Sequence, residues 1–339
     1  MNEFSEIISV WDKTEEEWLI LRDRGLGGSD AGTVIGVNKY KSPYSLWAEK
    51  LGLVERQSAG DAAKWGHRLE RVTAEAYAED YNQAVVAWPV ILVSKENPFM
   101  FANIDFLIVD PSDEFPAGQV TDWQTIEVPQ NVRSILEVKT SGIASPGTAH
   151  QWSNNSIPES YALQTVHYGI VTGVTSIVFA ALLPPMGLQV RYLEWDEELA
   201  ENLIIAEQMF WDLVESGEAP AVDGSNATEA TQQAMYPRHQ EGKSFEGGDS
   251  LAALWQEFNA AKAEADMADA KRKALRAQVV QLVGDAEYAT VNGATILTYK
   301  ASKEVESLDA DRLKREAPEV FNQFKKVRPG ARTLRASSR

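Results

Sequence analysis

Cysteine is absent from this chain. Its absence excludes disulfides, zinc-thiolate sites and cysteine-ligated iron–sulfur clusters. Histidine is scarce too: His67, His150, His167 and His239 are scattered and form no His-x3-His pair, so a zinc site is not expected. Oxygen ligands remain, and they suit a hard cation such as Mg²⁺ or Mn²⁺. No apolar run approaches the roughly 20 residues of a membrane span, and the opening Met1-Asn2-Glu3-Phe4-Ser5-Glu6 is acidic, unlike a signal peptide. A soluble, cytoplasmic protein with no membrane partner is therefore expected. Positive charge is in short supply, with 32 Lys and Arg against 50 Asp and Glu and a net charge of -18. That balance counts against a nucleic-acid partner, because phosphate binding rests on Lys and Arg. The charge is uneven, however, since residues 300–339 hold 11 Lys/Arg against 6 Asp/Glu. A locally basic channel with a metal-neutralised floor keeps DNA open as a partner.

With 339 residues and 44% hydrophobic content, the chain can bury a large core and carry an appendage. Thr14-Glu15-Glu16-Glu17 has the form of a capping box and predicts a helix to about Arg22. The glycine-rich Gly25 to Gly32 follows, where Ser29 or Asp30 could cap a short helix. It lacks the Gly-Lys-Ser/Thr ending of a nucleotide-binding loop. Ser42-Pro43 opens the next helix and Gly52 stops it, and a longer amphipathic helix is predicted over 61–80. Strand-like runs lie at 84–93, 99–109 and 132–139, with an acidic loop excursion over 110–130. A helix at about 159–171, a hairpin at 176–195 around Pro184-Pro185, and a helix from Asp196 to Ser216 complete an α/β core. Residues 218–249 read as a linker. Beyond them, 250–339 is an accessory region with a long helix over 250–283, a small hairpin turning at Asn292-Gly293, and a basic tail.

The chemistry-bearing stretch is Ile135-Leu136-Glu137-Val138-Lys139-Thr140. Side chains alternate across a strand, so Glu137 and Lys139 share one face. Asp105 stands in the middle of the apolar run 99–109, and an unpaired charge there would cost several kcal/mol, roughly, without a partner or a metal. An Asp followed by Glu-x-Lys on a neighbouring strand fits a metal-binding carboxylate pair with a lysine that helps activate water. It also fits an acid–base cluster that only bridges two strands. Glu70, one turn past Gly66 on the early helix, and Gln164 with Tyr168, one turn apart on another helix, add further polar groups. Gly66 is expected to permit a close approach of backbone.

Taken in order, Arg22 with Gly27-Gly28-Ser29-Asp30, Gly66-His67-x-x-Glu70, Asp105, Glu137-x-Lys139 and Tyr161-x-x-Gln164-x-x-x-Tyr168 resemble the YqaJ-type viral recombinase family. That family is related to phage lambda exonuclease within the PD-(D/E)xK nuclease superfamily. The resemblance covers residues 15 to 217 and implies a restriction-endonuclease-like core, a mixed central sheet flanked by helices, with a mainly helical C-terminal extension.

The resemblance also implies roles. Asp105, Glu137 and the Val138 carbonyl would bind metal, Lys139 would be the catalytic lysine, Glu70 would complete the site, and Gln164 would stabilise it or contact the DNA end. Tyr168 would complete the exonuclease Gln-x-x-x-Tyr pattern, while Arg22 and Ser29 would bind a 5′ terminal phosphate. The activity implied is a Mg²⁺-dependent 5′-to-3′ exonuclease on double-stranded DNA ends, with two ions per site. It would leave 3′ single strands for an annealing protein in a phage or prophage recombination system, and a ring trimer is the implied oligomer. One departure stands out: Thr140 to Trp152 contains no Arg or Lys, where such exonucleases can carry a phosphate-binding arginine. The rival readings are a structure-selective endonuclease on the same core and a non-catalytic DNA-end-binding module.

Overall fold

In the computed structural model, Thr14 opens the first helix through the reciprocal cap that the sequence predicts. The Glu17 N–H donates to Thr14 Oγ1 at 3.2 Å, and the Thr14 N–H donates to the Glu17 carboxylate at 2.8 Å. Residues 1–339 are described except 2, 57–59, 142–145, 327–329, 331 and 336–339, so part of the basic tail lies outside the described residues. The chain divides into two units, Met1–Pro237 and Arg238–Arg339. The first begins with β1 (Ser5–Ser9), α1 (Glu15–Arg22), β2 (Leu26–Gly27), α2 (Gly28–Val34), α3 (Pro43–Lys50) and α4 (Asp61–Asp80). Six strands follow: β3 (Ala84–Ala87), β4 (Val90–Ser94), β5 (Met100–Ala102), β6 (Phe106–Val109), β7 (Gln119–Asp122) and β8 (Val132–Thr140). The unit closes with α5 (Glu159–Thr172), β9 (Ile177–Leu183), β10 (Gly187–Leu193), α6 (Glu197–Ser216) and α7 (Asn226–Met235).

The mixed α/β architecture is the one expected, built on a six-stranded sheet in the order β10-β9-β8-β6-β3-β7. Its centre is β8, antiparallel to β6 and parallel to β9. Alternation along β8 divides its side chains between two layers. Leu136 and Val138 pack with Ala74, Tyr77 and Ala78 of α4 on one face. Ile135 packs into the larger core on the other, with Trp152, Tyr168 and Phe179. Glu137 and Lys139 follow Ile135 in the period-two pattern, so they face α5.

Two of the strand-like runs are each broken in two. The run 84–93 divides at Trp88-Pro89, where proline has no N–H for a ladder. Its halves join different sheets, β3 the large one and β4 a four-stranded sheet in the order β1-β4-β5-β2. The run 99–109 divides likewise, β5 lying in the small sheet and β6 in the large one. Asp105 therefore stands at the corner where the chain passes between sheets, and not inside a strand. The predicted loop 110–130 contains β7, which pairs in parallel with β3 on the sheet edge. Its partly exposed Gln119-Val120-Thr121-Asp122 carries too little apolar signal to announce a strand.

The predicted linker 218–249 also needs correction. It contains α7, capped by Ser225 and docked on α3, where the Thr228 hydroxyl donates to Ser42 Oγ at 2.7 Å and the Tyr44 hydroxyl to Met235 Sδ at 3.5 Å. Its buried face is made of threonines and not of large apolar residues, so periodicity does not reveal it. The second unit holds α8 (Gly248–Val283), the hairpin β11 (Tyr288–Val291) and β12 (Ala294–Thr298), and two short helices, α9 (Ala310–Glu316) and α10 (Pro318–Phe324). Among the described residues no helix is long and apolar enough to cross a membrane.

Candidate active site

β6 begins at Phe106, which pairs with Leu136, so the ladder ends one residue after Asp105. The Asp105 side chain takes over there: the Val138 N–H donates to Asp105 Oδ2 at 2.9 Å. Beside it, the fully buried Glu137 accepts from the Lys139 ammonium and, at 2.8 Å, from Gln164 Nε2, both on Oε1. Gln164 Nε2 also lies 2.9 Å from the Tyr168 hydroxyl. The aromatic face of Tyr161 lies 5.0 Å from Lys139 Nζ, which gives the ammonium a second favourable neighbour. In the sequence Tyr161 stands out only as the first residue of the Tyr-x-x-Gln-x-x-x-Tyr pattern. Its contact follows from α5 spacing, since Tyr161, Gln164 and Tyr168 stand three and four residues apart on one helical face.

Crowding of acids sets the electrostatics. Burial raises the Glu137 carboxyl to about 8, with the Asp105 charge adding to the shift and Lys139 opposing it. Burial likewise raises Asp105, against the pull of Lys139 and the Val138 N–H. Glu70 on α4 is pushed up to about 7, first by burial and then by the Asp105 charge. Burial would lower the Lys139 ammonium, but Glu137 and Asp105 outweigh it and the group is held protonated. Glu70 thus shares the field of the cluster, and the His67 ring Nδ1 lies 3.7 Å from its carboxyl. Gly66 does not serve the close backbone approach expected of it: a methyl there would meet only Thr140 Oγ1, at an ordinary 3.6 Å.

The donor set suits a hard cation. Among the described residues Glu137 Oε2 is buried without a hydrogen-bond partner, and Asp105 and Glu137 supply carboxylate oxygens side by side. Val138 commits its N–H to Asp105. Among the described residues no three His, Asp or Glu side chains already converge as a ready cage. Glu137 is instead closed onto Lys139, so a cation would share it with the ammonium.

Arg22 and Ser29 form a second group. The Arg22 guanidinium donates to Ser29 Oγ, and both line a cavity of about 570 Å³ together with Lys41 and Arg56. Their loop is fastened by a residue that the sequence did not reveal. The buried Lys50 ammonium donates to the Arg22 carbonyl at 3.2 Å and the Gly25 carbonyl at 2.5 Å, and lies 3.2 Å from Asp30 Oδ2. Burial would raise the Asp30 carboxyl, but Lys50, helped by Arg22 and Lys41, wins and holds it well below the usual range. Asp30 also accepts from the Gly27 N–H at 3.2 Å, three residues into its helix, while Ser29 is turned to Arg22. Gly28 joins the two groups. A methyl there would stand 2.4 Å from the Tyr168 ring and 2.8 Å from the Gln164 carbonyl, so α2 and α5 touch at this point.

Known proteins agree with the family resemblance. A family described as the YqaJ-like viral recombinase domain matches residues 17–175. The uncharacterized protein YqaJ of Bacillus subtilis is 31% identical over 322 residues, which covers 93% of this chain and 92% of that protein. Protein D345L of African swine fever virus is 38% identical over 60 residues, 18% of this chain and 17% of its own. Among solved structures, the alkaline exonuclease of Laribacter hongkongensis superposes with a TM-score of 0.46 at 17% identity, over 60% of this chain and 93% of that one.

Proposed function

We propose, for a chain that belongs to the YqaJ-like viral recombinase family, that it hydrolyses phosphodiester bonds of duplex DNA from a 5′ end with divalent-cation help. The observation that carries this reading is the cluster of Asp105, Glu137 and Lys139, in which the buried Glu137 Oε2 has no hydrogen-bond partner among the described residues. Asp105, Glu137 and the Val138 carbonyl would hold Mg²⁺ or Mn²⁺, two ions by family resemblance, with Glu70 close enough to assist. The metal would polarise the scissile phosphate and neutralise its charge. Lys139 keeps its proton through its acidic neighbours and brings a donor and a positive charge to the phosphate or the attacking water. Gln164 fixes the rotamer of Glu137 and ties it to Tyr168, so α5 braces the acid that does the binding.

Arg22 and Ser29 would receive the terminal phosphate, because a guanidinium fork beside a hydroxyl matches its oxygens. The remaining 3′ strand would pass to a single-strand annealing protein, in a bacterial cytoplasm if the chain is phage-encoded. Linear and closed circular duplex, each with Mg²⁺ or EDTA, test the reading together with variants. Loss of linear DNA only, only with metal, and not with Asp105→Ala or Lys139→Ala is expected. Cutting of closed circles would favour the endonuclease, and metal-independent binding without cutting would favour the idle module. Arg22→Ala should slow phosphorylated ends more than hydroxyl ends; equal slowing would reassign it to general backbone contact.

A further inference from the structure

α8 runs for 36 residues and buries none of them. Its sequence nevertheless carries a strict seam. Leu251, Leu254, Phe258, Ala261, Ala265, Ala268, Leu275, Val279 and Leu282 recur at alternating steps of three and four, and only Arg272 interrupts the series. This is the a/d repeat of a coiled coil, with a period of 3.5 that a helix satisfies by supercoiling against another helix. The large members are open to solvent, Leu254 at 63%, Leu275 at 51% and Leu282 at 88%. Leu251 and Trp255 share a shallow cavity with Leu334 and Arg335 at the amino end. Met267 and Val280 fall outside the seam.

The flanking charges select the occupant. In an antiparallel pair of this helix with itself, each a position faces a d position of the partner, while g faces g and e faces e. Centring the pair on the alanines puts Ala265 opposite Ala268 of the partner, Phe258 opposite the partner's Leu275, and Leu251 opposite the partner's Leu282. The small residues then meet where the helices come closest and the large ones meet at the ends. Arg272 falls opposite the partner's Ala261, whose lone methyl leaves room for the long side chain to cross the seam toward water.

In the same register Glu264 faces the partner's Lys271, Lys262 faces the partner's Asp269, and Trp255 faces the partner's Arg276. The two ion pairs are complementary, and Arg over Trp is favourable. A parallel pair would set Glu264 against Asp269 and Lys271 against Arg276. Sliding by one heptad would set Glu264 against itself or Lys271 against itself. We infer that α8 is a self-association element that joins two copies of this chain as an antiparallel coiled coil in the register Leu251 to Leu282. The inference goes beyond the nuclease reading and stands without it.

The absence of cysteine makes the register measurable in the full-length protein. Leu251→Cys and Leu282→Cys each introduce one thiol, and in the proposed pair they come within disulfide reach only of each other. The two copies of either one alone lie about 46 Å apart along the helix. Mixing the two variants, one carrying a size tag, should give a mixed disulfide dimer under mild oxidation, at least tenfold more than either variant alone. Association through the core in a ring would change the mass without creating this link. Cross-links within one variant, or none in the mixture, would overturn the proposal. As a second reading, Glu264→Lys or Lys271→Glu should each weaken the cross-link yield at low protein concentration, roughly tenfold, and the double variant should recover it. Single variants without effect, or a double variant that stays weak, would overturn the register.

Discussion

His167 is fully buried on α5, and both of its neighbours are acceptors. The Glu207 carboxylate and the Phe101 carbonyl each lie 2.9 Å from a ring nitrogen, a setting that favours an imidazole with both protons. Burial favours the neutral ring, but Glu207 outweighs it and raises the His167 pKa above its usual value. A raised pKa in the folded state adds stability that is complete below the unfolded value of about 6.5 and is lost as pH rises through the folded value. Glu207→Gln should therefore cost about 3–5 kcal/mol at pH 6, since it strands a buried charge. Urea unfolding at pH 6 and pH 9 should show the gap between wild type and variant closing at the higher pH; a constant gap would mean that the pair is neutral. None of this was legible in the sequence, because Glu207 is 40 residues away and stands on another helix. Asp105, Glu137 and Lys139 were legible because charge inside an apolar run is costly and so conspicuous. Lys50 was not, since a lysine near a helix end is ordinarily solvated.

Elements bring the two groups of polar residues together where α2 packs on α5. Gly28 opens α2 against Tyr168 and the Gln164 carbonyl on α5, and part of that obstacle is backbone that cannot rotate away. Gly28→Ala should push α2 from α5 and cost about 1–3 kcal/mol as overpacking. If Ser29 and Gln164 work on one DNA end, digestion should fall by more than the lost stability accounts for. Thermal melting and cleavage rates measured on the same sample separate the two effects, and a variant that melts and cuts like wild type would show that α2 yields freely. Most helices of the first unit were readable from caps, glycines and apolar stripes at nearly their observed bounds; α7, with its threonine face, was not. The strand runs were not readable to the same depth, because a change of sheet at Trp88-Pro89 or at Asn103-Ile104-Asp105 leaves the apolar content of the run unbroken. Strand β7 was invisible for the opposite reason, being a polar edge held by its ladder to β3.

At the scale of the molecule, the first unit ends at Pro237 and contains all the candidate site residues. Truncation after Pro237 should leave a protein that folds and cuts short duplexes, while truncation after 222 removes α7 and uncovers Ser42 and Tyr44 beneath it. The longer fragment should melt near wild type and the shorter one several degrees lower. A longer fragment without metal-dependent cleavage would make the second unit part of the catalytic body. The acidic floor has a consequence for the whole protein's exchange with its surroundings. Glu137 is raised to about 8 and Glu70 to about 7, so both carboxyls hold a hydrogen ion more tightly than a free carboxyl does. A cation held by these carboxylates would have to displace those hydrogen ions. Adding Mn²⁺ in a lightly buffered solution should therefore acidify it, by on the order of one proton per chain at pH 7 and progressively less toward pH 9. Asp105→Ala should blunt the release, and a silent pH electrode would refute the exchange. Metal affinity would then be no fixed constant: the proton concentration outside would be written into it.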